Sequence, residues 1–389
     1  MKSTLASLVA SLLASAVLGQ IVVDPNGGGH FRDLQAAIAA APPNTVIKVI
    51  GGTYGPLTID RSLTIAGAPA PTIRSPAAGS GLAQPPAITL SGNGRDRLVL
   101  QNVRVTGTVN GFVHSEAGRG ISGSGFAALH VYDSVVQAHE WVLLTGLGRG
   151  QPAIELSGAA TILIDHSSVQ GSTTDTDSSG MGWLPPGAPG IRAPNATVIA
   201  LLSTIRGGAC GRSNFDLAPP EPAPCPCNTA GGVGGPGVVS AALIDVASVV
   251  AGGAGSEVFF RPTFMGPYLP WGRQPDGEPF VVGRRTLIAL DLFAATAPRL
   301  GTTWQIDALF PVGLPAVMIL GSLAPLPLPF GGGLLFVDVA QPFAALPTSQ
   351  RTIAIPIPND QTLGGGEACL QLLSPTTGLT SPVPFAIAF

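Results

Sequence analysis

The sequence predicts an all-β protein made of stacked, parallel coils. Three observations predict this class: a short strand-like line that recurs along the chain, an abundance of turn residues, and a near absence of amphipathic helix. Glycine and proline number 52 and 38, hydrophobic residues make up 45% of the chain, and charged residues make up only 11%. High hydrophobicity with low charge excludes a disordered chain and is typical of a dry, turn-rich β protein.

The recurring line is about ten residues long and appears in five copies. Its first and eighth places are aliphatic in every copy, its sixth is serine in four copies, and its tenth is glycine or alanine. Alternation of this kind describes two short strands that meet at a corner and turn their apolar side chains inward. The first places are Leu98, Leu129, Ile162, Val198 and Leu243, and the eighth places are Val105, Val136, Val169, Ile205 and Val250.

Copies of such a line cannot bury their apolar side alone, so they must stack on one another. Their spacing varies, roughly between 30 and 45 residues, because insertions of different length separate them. Since no helical crossovers lie between the copies and right-handed crossovers are the default for parallel strands, we predict a right-handed parallel β-helix. An antiparallel β-sandwich is the rival fold, but hairpins do not readily align five copies at equivalent places.

The first residues of the chain have the features of a secretory signal peptide, which we place at residues 1–19. Lys2 supplies the charged start, Leu5 to Leu13 the apolar stretch, and either Ala14-Ser-Ala16 or Val17-Leu-Gly19 a small-residue cleavage site. Prolines interrupt every later apolar run, so we expect no transmembrane segment. Four cysteines fit an oxidising compartment. We therefore expect an exported protein, either secreted or held at the cell surface.

The segment from Phe31 to Ala41 is the one convincing helix of the sequence. Leu34, Ile38 and Ala41 share a face, and Pro42-Pro43 stop the helix. A helix at the open end of a stack of coils covers exposed strand edges and apolar interior. We predict that it caps the β-helix at its N-terminal end.

The same region resembles the opening of the pectin-lyase-fold proteins. The resemblance rests on Phe31-Arg-Asp-Leu-Gln-Ala-Ala-Ile-Ala-Ala-Ala41, Val46-Ile-Lys-Val, Gly52-Thr-Tyr54 and Leu63-Thr-Ile-Ala-Gly67. It implies a right-handed parallel β-helix, which we place at residues 20–280. It does not imply an activity, because these residues build the cap and the first coils.

The last part of the chain, residues 284–389, changes to short alternating strands, such as Thr286 to Leu292 and Thr352 to Ile357. Six or more such strands in about 105 residues predict a small β-sandwich. This part resembles the C-terminal domains of exported planctomycete-type proteins. The aromatic and proline-rich segment from Ser256 to Pro279 is expected to close the β-helix.

Polar residues occupy the fourth and fifth places of the first three copies, and stacking brings them within about 5 Å of one another. The stretch Ile162-Leu-Ile-Asp-His-Ser-Ser168 resembles the Trp-Ile-Asp-His stretch of pectate lyases, in which neighbouring carboxylates bind Ca²⁺ and an arginine abstracts the proton. The resemblance implies catalytic roles for Asp165 and His166, and the stacking of the copies adds Asp133, one coil away, as a third catalytic candidate. No arginine lies at an equivalent place on the neighbouring copies, so the catalytic set is incomplete. The alternative is a polar ladder that satisfies backbone groups at the corner.

Three further groups of residues are candidates for binding or structural roles. The first group is expected to form either a sugar-stacking and hydrogen-bonding surface or packed turns, and its members are His139, Glu140, Trp141 and Trp183. Asp175 and Asp177, on a Ser/Thr-rich loop, are candidate Ca²⁺ ligands without a third ligand group. Cys210 is expected to form a disulfide with Cys225 or Cys227, since the C-x-C pair lacks the spacing of common zinc sites.

These residues predict an exported or cell-surface polysaccharide-interacting protein without a complete catalytic set. The alternatives are a divergent polysaccharide lyase or glycoside hydrolase of pectin-lyase fold, and a structural envelope or adhesion protein. No cofactor is required, and Ca²⁺ is the candidate ion. The formal net charge of −3 gives no general attraction to nucleic acid. The sequence does not determine the oligomeric state.

Overall fold

The structure is a computed structural model that describes residues 20–75, 85–107, 118–138, 141–142, 150–175, 178–179, 186–210, 213–215, 233–255, 257–260, 269–273, 275–294, 296–309, 315–330, 333–341, 343–374 and 378–389. The predicted signal peptide lies outside these residues. Strands account for 56% and helix for 3%, which confirms the all-β class.

The strands are numbered in chain order, and one α-helix, α1 (Leu34–Ala40), lies in the described part of the chain. The first strands are β1 Gln20–Val23, β2 Thr45–Val49, β3 Thr53–Tyr54, β4 Leu57–Ile59, β5 Leu63–Gly67, β6 Thr72–Arg74, β7 Ile88–Gln101, β8 Arg104–Thr106, β9 Ile121–Tyr132, β10 Val135–Gln137, β11 Trp141–Val142, β12 Ile154–Ser157 and β13 Thr161–Asp165. They are followed by β14 Ser168–Gln170, β15 Thr174–Asp175, β16 Ser178–Ser179, β17 Ile191–Leu201, β18 Thr204–Arg206, β19 Ser213–Phe215, β20 Val238–Val246, β21 Val249–Ala251, β22 Glu257–Phe260, β23 Leu269–Arg273, β24 Phe280–Val281 and β25 Arg284–Ile288. The remaining strands are β26 Leu292–Phe293, β27 Thr303–Ala308, β28 Ala316–Gly321, β29 Leu323–Phe330, β30 Gly333–Val337, β31 Phe343–Thr348, β32 Thr352–Pro356, β33 Glu367–Ser374, β34 Gly378–Leu379 and β35 Val383–Ala386.

Two parallel sheets form the first part of the molecule. Sheet A has 12 strands in the order β1-β2-β5-β7-β9-β12-β17-β20-β24, with β4, β13 and β25 paired beside this path. Sheet B has seven strands in the order β21-β18-β14-β10-β8-β6-β3. From β7 onward, the chain passes from a strand of sheet A to a short strand of sheet B and back again, so successive copies of the repeat stack on one another. We call residues 20–288 the parallel part, because β25 is hydrogen-bonded in parallel to β20.

The interior rows that the repeat predicted are confirmed by the strand register. The five first-place residues are Cα partners from strand to strand, and each is fully buried. The five eighth-place residues are partners in the same way in sheet B, and the most exposed of them, Val250, is only 8% exposed. One apolar interior therefore lies between the two sheets.

The corner between the two sheets depends on the fifth and sixth places. The fifth residue adopts a left-handed backbone in every copy, at Asn102, Asp133, His166, Leu202 and Ala247, with φ between 45° and 50°. Asparagine and aspartate tolerate this conformation better than other residues with a Cβ atom. The corner thus explains the polar residues at two of these places.

The sixth-place serines form a hydrogen-bonded ladder along the corner. The backbone N–H of Ser134 donates to Ser167 Oγ at 3.0 Å, and the N–H of Ser167 donates to Ser203 Oγ at 3.1 Å. Each hydroxyl in turn donates to the carbonyl two residues before it, as Ser167 Oγ does to Asp165 O at 2.7 Å. The serines therefore satisfy backbone groups that the turn leaves without strand partners.

The helix is shorter than the sequence predicted. Asp33 has an extended backbone, and its carboxylate accepts a hydrogen bond of 2.7 Å from the N–H of Ala36, which makes it the N-cap. Leu34 and Ile38 are buried, and the helix contacts β1, β2 and β4. It therefore lies beside the first edge of sheet A, since β1 is the terminal strand of that sheet.

The C-terminal part, residues 291–389, is antiparallel. One sheet has the order β26-β27-β32, a second has the order β31-β28-β33-β34 with β35 paired to β33, and β29 pairs with β30. Side chains of the first two sheets, among them Trp304, Ile306, Leu320 and Leu370, share one hydrophobic cluster. Division of the chain into domains at the predicted boundaries stays a prediction.

The C-terminal part covers the outer surface of sheet A. The second and fourth places of the repeat point outward, and most of them are apolar. They are buried in one cluster with C-terminal residues such as Phe336, Val337 and Cys369. The outward residues of this cluster are Val99, Tyr132, Leu163, Ile199, Leu201, Ile244 and Val246.

Candidate functional site

The structure brings Asp133, Asp165 and His166 together at one corner of adjacent coils. Asp165 ends β13, His166 takes the left-handed position after it, and Asp133 takes the same position one coil earlier. The N–H of Asp133 donates to the backbone carbonyl of Asp165 at 3.1 Å. His166 Nδ1 and Asp165 Oδ1 are 2.9 Å apart. The repeat therefore predicted the neighbourhood of these three residues correctly.

The C-terminal part restricts access to this corner. The Asp165 side chain is 9% exposed and the His166 side chain is 28% exposed, while Asp133 is exposed. The three line a small space with Thr296, Trp304 and other C-terminal residues, and its volume of about 10 Å³ is room for about one water molecule. A sugar ring does not fit there, and only one of the two carboxylates faces solvent. The catalytic assignment of these residues stays a prediction.

The buried pair at the corner has an electrostatic character of its own. Burial raises the pKa of the Asp165 carboxyl above its ordinary value, although the hydrogen bond to His166 opposes this effect. The hydrogen bond to Asp165 raises the pKa of His166, against the effect of its own burial. The hydrogen bond between the two side chains favours the charged form of each, whereas burial favours the neutral form of each.

Most of the other predicted site residues lie outside the described part of the chain. This holds for His139, Glu140, Asp177, Trp183, Cys225 and Cys227. The disulfide prediction is therefore untested, although Cys210 itself is buried. Among the described residues, no group of three or more His, Cys, Asp or Glu side chains is arranged to hold a metal ion.

Trp141 and Asp175 are described by their backbone, which places them on two neighbouring, paired strands. Strand β11 pairs in parallel with β15, so that Trp141 is opposite Thr174 and Val142 is opposite Asp175. A second ladder runs from β16 through β19 to β22, again in parallel. All these strands lie in insertions that follow the tenth place of the repeat. The insertions of successive coils therefore leave the stack at the same position, after the strands of sheet B, and pair with one another. This position differs from the corner that holds Asp165.

Sequence reasoning missed a charged cluster beneath the C-terminal part. His130 Nδ1 lies 2.7 Å from Glu367 Oε1, and Arg97 Nη1 lies 3.0 Å from Glu367 Oε2. Burial raises the pKa of Glu367, but Arg97 and His130 outweigh this effect and lower it to about 2. Nearby, Gln101 Nε2 donates to the carbonyl of Ala386 at 2.7 Å. The cluster joins β7 and β9 of the parallel part to β33 and β35.

A signal for this interface is present in the sequence. A sheet with one solvated face alternates apolar and polar residues, whereas a sheet covered on both faces is apolar throughout. The second places of the repeat are Val99, His130, Leu163, Ile199 and Ile244. Four apolar residues in this outward row indicate that the sheet is covered. The one histidine, His130, lies where the covering C-terminal part places Glu367.

The fold and these sites define an all-β protein with stacked parallel coils and an antiparallel C-terminal part that covers one of their faces. A comparison with known protein families, curated proteins and solved structures gave no match. Within the described residues, no helix has the length and apolar character needed to cross a membrane.

Proposed function

We propose that this chain is an exported, polysaccharide-interacting protein built on a right-handed parallel β-helix. In this proposal α1 caps the N-terminal end of the β-helix, and the C-terminal part is a small β-sandwich. The stacked register of the repeat, the position of α1 beside β1 and the resemblance to the opening of pectin-lyase-fold proteins support the architecture. The signal-like residues 1–19 support export.

One observation carries the functional proposal, namely the parallel pairing of insertions at one corner of successive coils. Stacked repeats that display loops on one side form extended surfaces, and such surfaces suit extended ligands. A polysaccharide repeats along its length as the coils do. The backbone of Trp141 pairs with that of Thr174 in these insertions. Tryptophan and threonine are residue types suited to stack on a sugar and to hydrogen-bond to it.

Affinity electrophoresis tests the proposal, with acidic and neutral polysaccharides cast separately into native gels. We expect retardation in at least one gel, and we expect Trp141→Ala combined with Trp183→Ala to weaken it. The matched control is Phe330→Ala combined with Phe343→Ala, because these aromatic residues are about half exposed on the C-terminal part. Absence of retardation in every gel, or equal loss in both double variants, would contradict the proposal.

A divergent lyase is the second candidate, because the structure brings Asp133, Asp165 and His166 to one corner. β-Elimination needs an accessible base at the sugar C5 proton and a cation at the uronate. Asp165 is buried, so we expect no appearance of unsaturated product from polygalacturonate with millimolar Ca²⁺, measured by ultraviolet absorbance. A clear rate that disappears in Asp165→Ala would establish the lyase instead.

A further inference from the structure

The outer surface of sheet B carries an arginine-bearing face that the proposed function does not use. One row of outward residues crosses five adjacent strands in register, and its members are Arg74, Thr106, Gln137, Gln170 and Arg206. Arg104 lies in the next row, on the strand beside Arg74. We call these six residues the arginine face. Every member offers a hydrogen-bond donor to solvent.

The arginine face is positively charged although the whole chain is not. Arg74, Arg104 and Arg206 are exposed, and the outward positions of the described sheet B strands include no Asp or Glu. Ion pairs in the described part of the chain engage other arginines, such as Arg61, Arg97 and Arg285. The formal net charge of −3 therefore conceals a local cationic surface.

We propose that the arginine face binds an extended acidic polysaccharide that lies across the strands. Strands in a sheet are about 4.8 Å apart, close to the length of one pyranose unit, so Arg74 and Arg206 are about 19 Å apart across four strand spacings. A guanidinium binds a carboxylate or sulfate with two parallel hydrogen bonds. The glutamine and threonine side chains between the arginines suit sugar hydroxyls.

The composition of the face favours a glycan over a nucleic acid. Proteins that bind single-stranded nucleic acid combine basic residues with aromatic side chains on which the bases stack. The arginine face has no aromatic member, and three cations neutralise few phosphates. The experiment must therefore distinguish binding to an acidic polysaccharide from binding to a nucleic acid.

This inference shares a polysaccharide partner with the proposed function but depends on a different surface, so the two can fail independently. The test is titration of the full chain with polygalacturonate by affinity electrophoresis at low and at physiological salt. We expect salt-sensitive binding, and we expect the triple variant Arg74→Gln, Arg104→Gln and Arg206→Gln to bind roughly tenfold more weakly. Triple replacement by lysine should restore part of the affinity, since it keeps the charge without the paired hydrogen bonds.

The matched control is the triple variant Arg32→Gln, Arg95→Gln and Arg351→Gln, which removes the same charge from exposed positions elsewhere. Unchanged melting temperatures show that each variant is folded. The proposal is supported if the arginine-face variant loses affinity for polygalacturonate and the control variant keeps it. Equal loss in the control, salt-insensitive binding, or tighter binding to poly(dT) than to polygalacturonate would overturn it.

Discussion

Val169 shows how a single residue reports on the packing of the stack. It is fully buried between its register partners Val136 and Ile205, while its neighbours Ser168 and Gln170 are half-buried on the other face of the strand. Side chains alternate between the two faces of a strand, so adjacent residues of this strand lie in opposite environments.

A charge at this position should be severely destabilising. Val169→Asp places an unpaired carboxylate in the apolar interior, and we expect the free energy of unfolding to fall by about 3 kcal/mol or more. Chemical denaturation measures the change, with Ser168→Asp as the control that adds the same charge on the outer face. Similar denaturation midpoints for the two variants would show that the eighth place is not interior.

At the scale of the element, the serine ladder holds β13 and β14 in their bent arrangement. Ser167 both accepts a hydrogen bond from the N–H of Ser134 and donates one to the carbonyl of Asp165. Its side chain is buried with the corner, so water does not replace it freely.

We expect Ser167→Ala to destabilise the protein by about 1–3 kcal/mol, because a buried N–H loses its acceptor. Ser168→Ala, one residue further along and half-buried, should change stability little. Hydrogen exchange adds a local readout, since the amide of Ser134 should lose protection in the first variant only. Retained protection there would mean that the hydroxyl does not hold the corner.

For the whole molecule, the ionisation of Glu367 makes the attachment of the C-terminal part to the parallel part depend on pH. Its folded-state pKa of about 2 lies below the ordinary value of 4.5. A lowered carboxyl pKa stabilises the fold above the ordinary value, and this contribution is lost as the pH falls toward the folded-state value. We therefore expect acid to weaken the attachment of the C-terminal part between about pH 4.5 and pH 2.

Melting temperatures across this pH range check the expectation. Glu367→Gln should make the melting temperature less dependent on pH. The control Glu278→Gln removes an exposed carboxyl and should leave the dependence of the melting temperature on pH unchanged. If the melting temperature of Glu367→Gln falls with pH as steeply as that of the natural sequence, the buried ion pairs of Glu367 with Arg97 and His130 do not set the acid stability.

The sequence by itself determined the interior of the parallel part. Strand alternation is a local property, so the first and eighth places predicted the buried rows, and the recurrence of the line predicted their stacking. Position along the repeat also predicted that Asp133, Asp165 and His166 would meet. These features require no knowledge of what lies outside the coil.

Only the tertiary structure decided which outward residues are accessible. Glu367 meets His130 across 237 positions of the chain, and the C-terminal part buries Asp165 while Asp133 stays exposed. The apolar outward row indicates that a cover exists, but not which segment supplies it or where its charges fall. Such contacts depend on the docking of distant segments, and a repeat pattern carries no information about docking because each copy specifies only its neighbours.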